Sequence, residues 1–324
     1  MAAGAAGDAG VTEGSFMDKE EAGPRGGPLA TDRAFAYYWT MCFLCTLKQR
    51  PADAKAGPWQ ARRGFLLAAT AAAATAPALA QVDVGKASSL RKLVPAEQIE
   101  QAGTQQFVAT VKAAQQQNAL VPTNDPRTRR LHAIARRIIP FTTAWNPRAK
   151  DWRWEVALIH SDEINAFCLP GGKIAFYTGI LTKLQLSDDE AAMVMGHEMA
   201  HALREHARER LAKSSATNLG LRLGAELLGL GNWGAVAADM GAQLLTLKFS
   251  REDESEADLV GLELAARAGY LPGASISLWQ KMAQASGGNG IAFLSTHPSG
   301  HERIRQLQAN VPKVQGLYEA AKKG

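Results

Sequence analysis

The sequence contains little cysteine, few aromatic residues and little excess charge, and these shortages narrow its possible functions. Its 324 residues include three cysteines and 7% aromatic residues, with a formal net charge of +5. No dense lysine and arginine run with interleaved aromatic residues occurs, which argues against nucleic acid as a partner. A weak attraction to anionic surfaces, and with it a peripheral association with the cell envelope, is compatible with this charge. The composition is that of a globular protein with one or two domains.

Two of the three cysteines, Cys42 and Cys45, form a C-x-x-C pair. Such a pair can form a redox or metal site, but this one lies in an apolar run without a β-α-β pattern around it. We therefore expect no function for it. Cys168 is the only cysteine further along the chain, so we expect no intrachain disulfide in the folded domain.

The first 80 residues predict a targeting region. Residues 1–60 are rich in alanine, glycine and proline and lack a helical or strand period, which predicts a disordered extension or a mis-assigned translation start. Residues 61–80 contain Arg62 and Arg63 at their start, after Ala61, continue with an alanine-rich apolar stretch and end in an A-x-A site. This order is typical of a cleavable export signal, and the stretch is too short to span a membrane well.

Two export routes stay open for this signal. Its Arg-Arg-x-Phe-Leu order resembles a twin-arginine signal, and a general secretory signal is the alternative. Cleavage after Ala80 would leave residues 81–324, which fit a single domain. We therefore predict a periplasmic or otherwise exported protein without a transmembrane span in its mature chain.

The pattern within residues 81–324 predicts an α+β fold that is mostly helical. Helical composition covers four segments: residues 95–118, 128–139, 188–211 and 251–268. The apolar stretch at 214–248 predicts a buried helical hairpin. Strand alternation is confined to residues 152–158 and to two short strands around the turn within residues 167–178. We therefore predict a small β-sheet next to the helix that carries the motif described below.

The stretch His197-Glu198-Met199-Ala200-His201 is the main candidate for chemistry. Helical residues four apart share a face, so both imidazoles can bind one ion, and catalytic zinc takes three protein ligands and a water. Glu198 lies about 100° round the helix from His197, close enough to act as the general base towards that water. The alternative is a solvated helix without metal. The apolar residues 191–196 before the motif argue against it, because these side chains would be costly to bury unpaired.

A third zinc ligand has to come from elsewhere in the chain. The metzincin spacing is excluded because it requires a glycine and a histidine where this chain has Arg204 and Ala207, and His206 misses by one position. The alternative is a later helix on which Glu254 and Asp258 are again four residues apart, so that one can bind zinc while the other orients a ligand histidine. A solvated acidic helix start would show the same charge pattern, and the residues alone leave this choice open.

These motifs together resemble the CAAX prenyl protease and HtpX family of zinc metallopeptidases, with two histidines and one glutamate as ligands. Besides H-E-x-x-H, the resemblance rests on Ser250 to Asp258 (S-R-x-x-E-x-E-A-D), Asn165 to Gly179 (N-A-F, P-G-G-K-I and Y-T-G) and Thr296 to Ile304 (T-H-P-S and R-I). It covers about residues 128–310. The membrane spans and the C-terminal helical repeat domain of other members are not found, so the match is to the compact exported branch.

The resemblance implies a zincin-like domain with one zinc per chain, Glu254 as the third ligand and Asp258 as the carboxylate behind a ligand histidine. It implies that His297 and Arg303 lie beside the metal. There we expect His297 to take the open zinc position in the resting protein or, swung away, to donate to the oxyanion together with Arg303. It also implies that four residues line the cleft, where an extended substrate can add as a strand: Asn165, Ala166, Phe167 and Cys168.

The predicted function is a zinc-dependent endopeptidase acting on polypeptides, and the resemblance implies misfolded or unassembled envelope proteins as substrates. Two alternatives stay open: a zinc-containing chaperone or binding module with little proteolysis, and a metal-assisted hydrolase of small amides. An intact Glu198 favours an active enzyme over the first. The predicted edge strand at residues 167–169 favours a peptide cleft over the second.

Overall fold

The computed structural model describes residues 82–215, 233–286, 291–298 and 300–323. The chain divides into two units, residues 1–75 and 76–324, and all described residues belong to the second. The predicted extension, the predicted signal at 61–80, the C-x-x-C pair and the first part of the predicted hairpin lie outside the described residues. The division into three segments, with a single domain from residue 81, stays a prediction.

Ten α-helices and three β-strands form the described part of the chain. The helices are α1 (Ala96–Gln116), α2 (Pro126–Ile138), α3 (Thr178–Lys183), α4 (Asp188–Leu203), α5 (His206–Ser215), α6 (Trp233–Thr246), α7 (Arg251–Arg267), α8 (Ala274–Ala285), α9 (Ala292–Thr296) and α10 (His301–Lys323). The strands are β1 (Glu155–Ile159), β2 (Ala166–Leu169) and β3 (Lys173–Tyr177). The predicted α+β class, mostly helical with one small sheet, is confirmed. None of the described helices is long and apolar enough to cross a membrane.

The sheet has β3 in its centre, parallel to β1 and antiparallel to β2. The turn between β2 and β3 contains Gly171 and Gly172 with φ values of 86° and 77°, which a side chain would strain. Alternate residues of β3 pack on opposite sides: Phe176 belongs to the main core and Ala175 to a second, smaller one. Because β3 lies between the other two strands, β2 is an edge strand of the described sheet, as predicted for residues 167–169.

The helix predicted over residues 188–211 is interrupted, and this prediction is wrong. α4 ends at Leu203 and α5 begins at His206, because Glu205 between them has a φ of 59°, in the left-handed region. Ion pairs from Arg91 (3.1 Å) and Arg208 (2.6 Å) hold the Glu205 carboxylate in this conformation. No glycine or proline marks the break, so composition could not reveal it.

Helices α4 and α7 pack with their backbones close together, which sets the geometry of the site. A Cβ atom on Gly196 would lie 2.7 Å from the Gly261 carbonyl oxygen, and one on Gly261 would lie 2.6 Å from the His197 nitrogen. Both helices also begin with a capping box, formed at Ser187 on α4 and at Ser250 on α7. The two motif-bearing helices therefore have defined starts and a close contact at their glycines.

Candidate metal centre

Four buried side chains from three parts of the fold bring their donor atoms to one place. His197 and His201 lie one turn apart on α4, Glu254 lies on α7, and His297 follows α9. The donor atoms all lie within 4.8 Å of one another. His201 Nε2 is 3.2 Å from His197 Nε2 and 3.4 Å from Glu254 Oε1. His297 Nδ1 is 3.3 Å from His197 Nε2 and 3.0 Å from Glu254 Oε1.

The separations between these donors fit a zinc ion. Zinc binds nitrogen and oxygen at about 2.0–2.2 Å, so the ligands of a tetrahedral site are about 3.3–3.6 Å apart. The close contact of His197 Nε2 with His201 Nε2 sets two ring nitrogens against each other, which suits a shared ion. Glu254 Oε2 forms an ion pair with Arg303 Nη1, at 2.6 Å, and accepts no hydrogen bond. Three imidazoles and one carboxylate form a donor set that zinc accepts.

The electrostatics of His201 and Glu254 favour the protonation states that bind a cation, whereas at His297 burial acts to lower the pKa but the carboxylates of Glu198 and Glu254 outweigh it and raise the pKa. Burial holds the pKa of His201 well below its usual value, so the ring is neutral, and a neutral imidazole is the form that binds zinc. Burial acts to raise the pKa of Glu254, but its contacts with the rings of His201 and His297 outweigh it and hold that pKa below its usual range. Glu254 is therefore ionised.

Glu198 lies beside the cluster without being one of its four donors. Its buried Oε1 has no hydrogen bond and lies 3.7 Å from His297 Nε2. Burial raises the pKa of this carboxyl above the usual value, an effect that the neighbouring His297 partly offsets. A carboxylate in this state accepts a proton more readily than an exposed one does.

Asp258 lies behind His197, and Arg303 contacts both Asp258 and the donor Glu254. Asp258 Oδ1 is 3.1 Å from His197 Nδ1, and Arg303 donates to both Asp258 oxygens at 2.6 and 2.7 Å. The Arg303 guanidinium stacks 3.7 Å above the ring of Trp279, which itself donates to Asp258 at 3.2 Å. Arg303 is 5% exposed and is directed at two carboxylates. The motifs contained no signal for Trp279.

A cleft opens beside the cluster, with β2 on one side. It is lined by residues 165–169, by half-buried Leu245 and Leu247, and by Glu198, His201 and His297. The structure thus brings the predicted edge strand and the metal cluster together. Cys168 in β2 is buried, and burial raises the pKa of its thiol well above the usual value. This thiol is therefore unreactive.

Two aromatic rings that the motifs did not indicate hold the histidines in place. Phe249 stacks on His201 with ring centroids 4.0 Å apart, and Phe293 stacks on His297 at 4.4 Å. The only signal in the sequence is that Phe249 directly precedes Ser250 and that Phe293 lies three residues before Thr296, because stacking partners have no required spacing. His206 and Glu256, which lie behind His201, also had no predicted role.

Comparison with known proteins places these residues in a family. Residues 125–311 match Peptidase family M48. The chain is 36% identical over 205 residues to mitochondrial metalloendopeptidase OMA1 of Schizosaccharomyces pombe, covering 62% of this chain and 58% of that protein. It is 41% identical over 163 residues to the protein of the same name in Arabidopsis thaliana, covering 49% of this chain and 32% of that protein. It is 31% identical over 217 residues to the one in Saccharomyces cerevisiae, covering 63% of this chain and 62% of that protein. The chain therefore spans between about a third and three fifths of the length of these relatives.

These relatives contradict the predicted periplasmic localisation, because all three are mitochondrial by name. That prediction is therefore wrong. It rested on residues 61–80, which contain Arg62 and Arg63, no acidic residue and an alanine-rich stretch. Mitochondrial transit peptides are likewise arginine-rich and poor in acidic residues, so these features do not separate the two destinations.

Proposed function

Because the chain belongs to Peptidase family M48, we propose that it is a zinc-dependent endopeptidase with His197, His201 and Glu254 as metal ligands and Glu198 as the general base. Membership of this family confirms the predicted metallopeptidase resemblance, and zinc, the metal of the family, is confirmed as the cofactor. The observation that carries the proposal is the buried four-donor cluster with the unpaired Glu198 oxygen beside it. A mitochondrial location is the one that the names of the relatives support.

When bound, zinc supplies Lewis-acid chemistry towards the peptide carbonyl and towards water. Glu198 accepts the proton of the attacking water at its free Oε1 and passes it to the departing amine, and its raised pKa suits both transfers. Asp258 fixes the ring of His197 by accepting from Nδ1. The edge of β2 that does not pair with β3, and that has no strand partner among the described residues, binds an extended substrate through backbone hydrogen bonds.

The lining of the cleft supports polypeptides with exposed apolar side chains as substrates. Half-buried Phe167, Leu245, Leu247 and Phe249 line it, so an apolar substrate side chain would lose contact with water there. Folded proteins bury such side chains and rarely expose an extended segment. We therefore propose misfolded or unassembled proteins as the substrate class.

Cleavage of an unfolded protein tests this function. The purified full chain is expected to contain one zinc per molecule and to cleave casein, but not a compact folded protein of similar size. Removal of zinc with 1,10-phenanthroline should stop cleavage, and added zinc should restore it, because the chain's own residues supply only the base and the substrate contacts. Stoichiometric zinc without cleavage of casein would contradict the proposal and favour a binding module.

We also propose that His297 occupies the open zinc position in the resting protein. Its Nδ1 lies among the other three donors, and the stacked Phe293 holds the ring there. His297→Ala should therefore raise the basal rate of casein cleavage, with self-cleavage visible on gels, while zinc stays bound by the other three ligands.

The control for this variant is His132→Ala, which removes a histidine on α2 whose ring contacts the Val156 carbonyl and which is not part of the cluster. Its basal rate should equal that of the wild type. If His297 were mainly a transition-state donor, His297→Ala would instead lower kcat by roughly 10²-fold with zinc retained, and that result would contradict the resting-state role.

A further inference from the structure

A chain of buried polar side chains runs from the far side of His201. His201 directs Nε2 at the other zinc donors, and its second nitrogen, Nδ1, lies 3.0 Å from Nδ1 of His206. His206 is only 2% exposed. On its other side, His206 Nε2 lies 3.3 Å from Glu256 Oε2.

The Glu256 carboxylate is also held by Arg204. Arg204 Nε donates to the same Glu256 oxygen at 2.8 Å, and Arg204 Nη2 donates to the Gly85 carbonyl at 3.1 Å. The buried guanidinium thus links the Glu256 carboxylate to the segment before the first 3-10 helix (Ser89–Leu93). Glu256 therefore has a defined position from which it can orient His206.

The hydrogen bonds along this chain are all satisfied by one set of tautomers. A neutral His201 that binds zinc through Nε2 carries its hydrogen on Nδ1 and donates it to His206 Nδ1. His206 then carries its own hydrogen on Nε2 and donates it to the Glu256 carboxylate. No donor or acceptor of either ring is left unpaired.

The interruption between α4 and α5 is what allows this contact. In a continuous helix, residues five apart lie about 140° apart around the axis, so His206 would point away from His201. The left-handed conformation of Glu205, with φ of 59°, interrupts the helix, and His206 Nδ1 lies 3.0 Å from His201 Nδ1. The break thus places a hydrogen-bond acceptor behind a metal ligand.

We propose that His206, oriented by Glu256, is a positioning residue that fixes the tautomer and ring orientation of His201 for zinc binding. This inference rests on the proposed zinc site. His206 would do for His201 what Asp258 does for His197, but with a neutral ring in place of a carboxylate. The centre therefore gains a fixed ligand without a further negative charge.

Zinc affinity of two His206 variants tests this role. His206→Leu has similar bulk but no acceptor, so it should weaken zinc binding about 10- to 100-fold, as removal of a residue behind a metal ligand typically does. His206→Asn places an amide oxygen near the position of Nδ1 and should restore the affinity to within a few-fold of the wild type. Affinity is measured by competition with a chromophoric chelator, and the visible spectrum of the Co²⁺-substituted protein reports the ligand geometry.

Glu256 supplies an independent pair of variants, because it contacts His206 and not the zinc ligands. Glu256→Gln keeps an acceptor for His206 and should bind zinc almost normally, whereas Glu256→Leu should weaken zinc binding several-fold. The double variant His206→Leu/Glu256→Leu should be no weaker than His206→Leu alone, because both changes remove the same effect. His132→Leu, outside the cluster, should leave affinity and spectrum unchanged.

A purely structural role for His206 would give a different pattern. The urea midpoint of His206→Leu would fall while zinc affinity and the Co²⁺ spectrum stayed at wild-type values, and that result would overturn the proposal. If His206→Leu does not fold, equal zinc affinity of Glu256→Gln and Glu256→Leu would overturn it instead. A wild-type protein that binds no zinc would refute the zinc site itself, which keeps the two failures distinct.

Discussion

Replacement of Glu198 by glutamine is expected to leave zinc bound and to lower the rate of peptide hydrolysis by about 10²- to 10⁴-fold, the range that general acid–base catalysis contributes. Glutamine has the same shape but cannot take up the proton of the attacking water. Zinc should stay bound because Glu198 is not one of the four donors of the cluster. Zinc content by atomic emission and initial rates on casein measure the two effects separately.

The matched control is Glu252→Gln, the same chemical change at an exposed position of α7, two residues before the ligand Glu254. Its zinc content and rate should equal those of the wild type. A Glu198→Gln protein that hydrolyses casein within twofold of the wild-type rate would show that another group is the base. Loss of zinc in Glu198→Gln would assign Glu198 to the metal and not to the proton transfer.

The second large effect is expected for Glu254→Ala, which should lose stoichiometric zinc and with it hydrolysis. Glu254 is fully buried and its Oε1 lies 3.4 Å from His201 Nε2 and 3.0 Å from His297 Nδ1. Alanine removes the one carboxylate of the donor set and leaves only imidazole nitrogens to hold the ion. His197→Ala and His201→Ala should act in the same direction.

Thermal unfolding provides a second measurement for Glu254→Ala that does not depend on activity. Zinc that binds only the folded protein stabilises it by about 4 kcal/mol when free zinc exceeds the dissociation constant a thousandfold. Chelation should therefore lower the melting temperature of the wild type, and also that of the surface variant Glu252→Ala, but should not change that of Glu254→Ala. Full zinc and a wild-type response to chelation in Glu254→Ala would mean that the third ligand is a different residue.

The shared helix face of the two H-E-x-x-H histidines could be predicted because it depends only on residues close together in the chain. The two histidines share a face through the geometry of a single helix, and the apolar residues before the motif indicate that the helix is buried. The two strands around residues 170–172 could be predicted for the same reason, since a pair of glycines marks a turn wherever it occurs. Signals of this kind need no knowledge of the rest of the chain.

Features that depend on distant contacts were predicted poorly or not at all. Ion pairs from Arg91 and Arg208 stabilise the helix break at Glu205, and no helix-breaking residue marks it. The helical composition therefore continues across the break. Trp279 and Phe249 lie against the site only because their helices or loops pack there. The localisation was wrong because arginines before an apolar stretch occur in targeting segments with different destinations.

The sequence by itself determined the α+β class, the strands of the sheet and the pair of histidines on one helix face, because periodicity and helix geometry act over a few residues. The choice of Glu254 over Asp258 as the metal-facing carboxylate was left open by their spacing alone. The family resemblance implied Glu254, and the tertiary structure supplies a physical reason: Trp279 engages Asp258 behind His197, while Glu254 meets His201 and His297. Only the tertiary structure decided the place of His206, because a ring five residues beyond a ligand reaches that ligand only where the helix is broken.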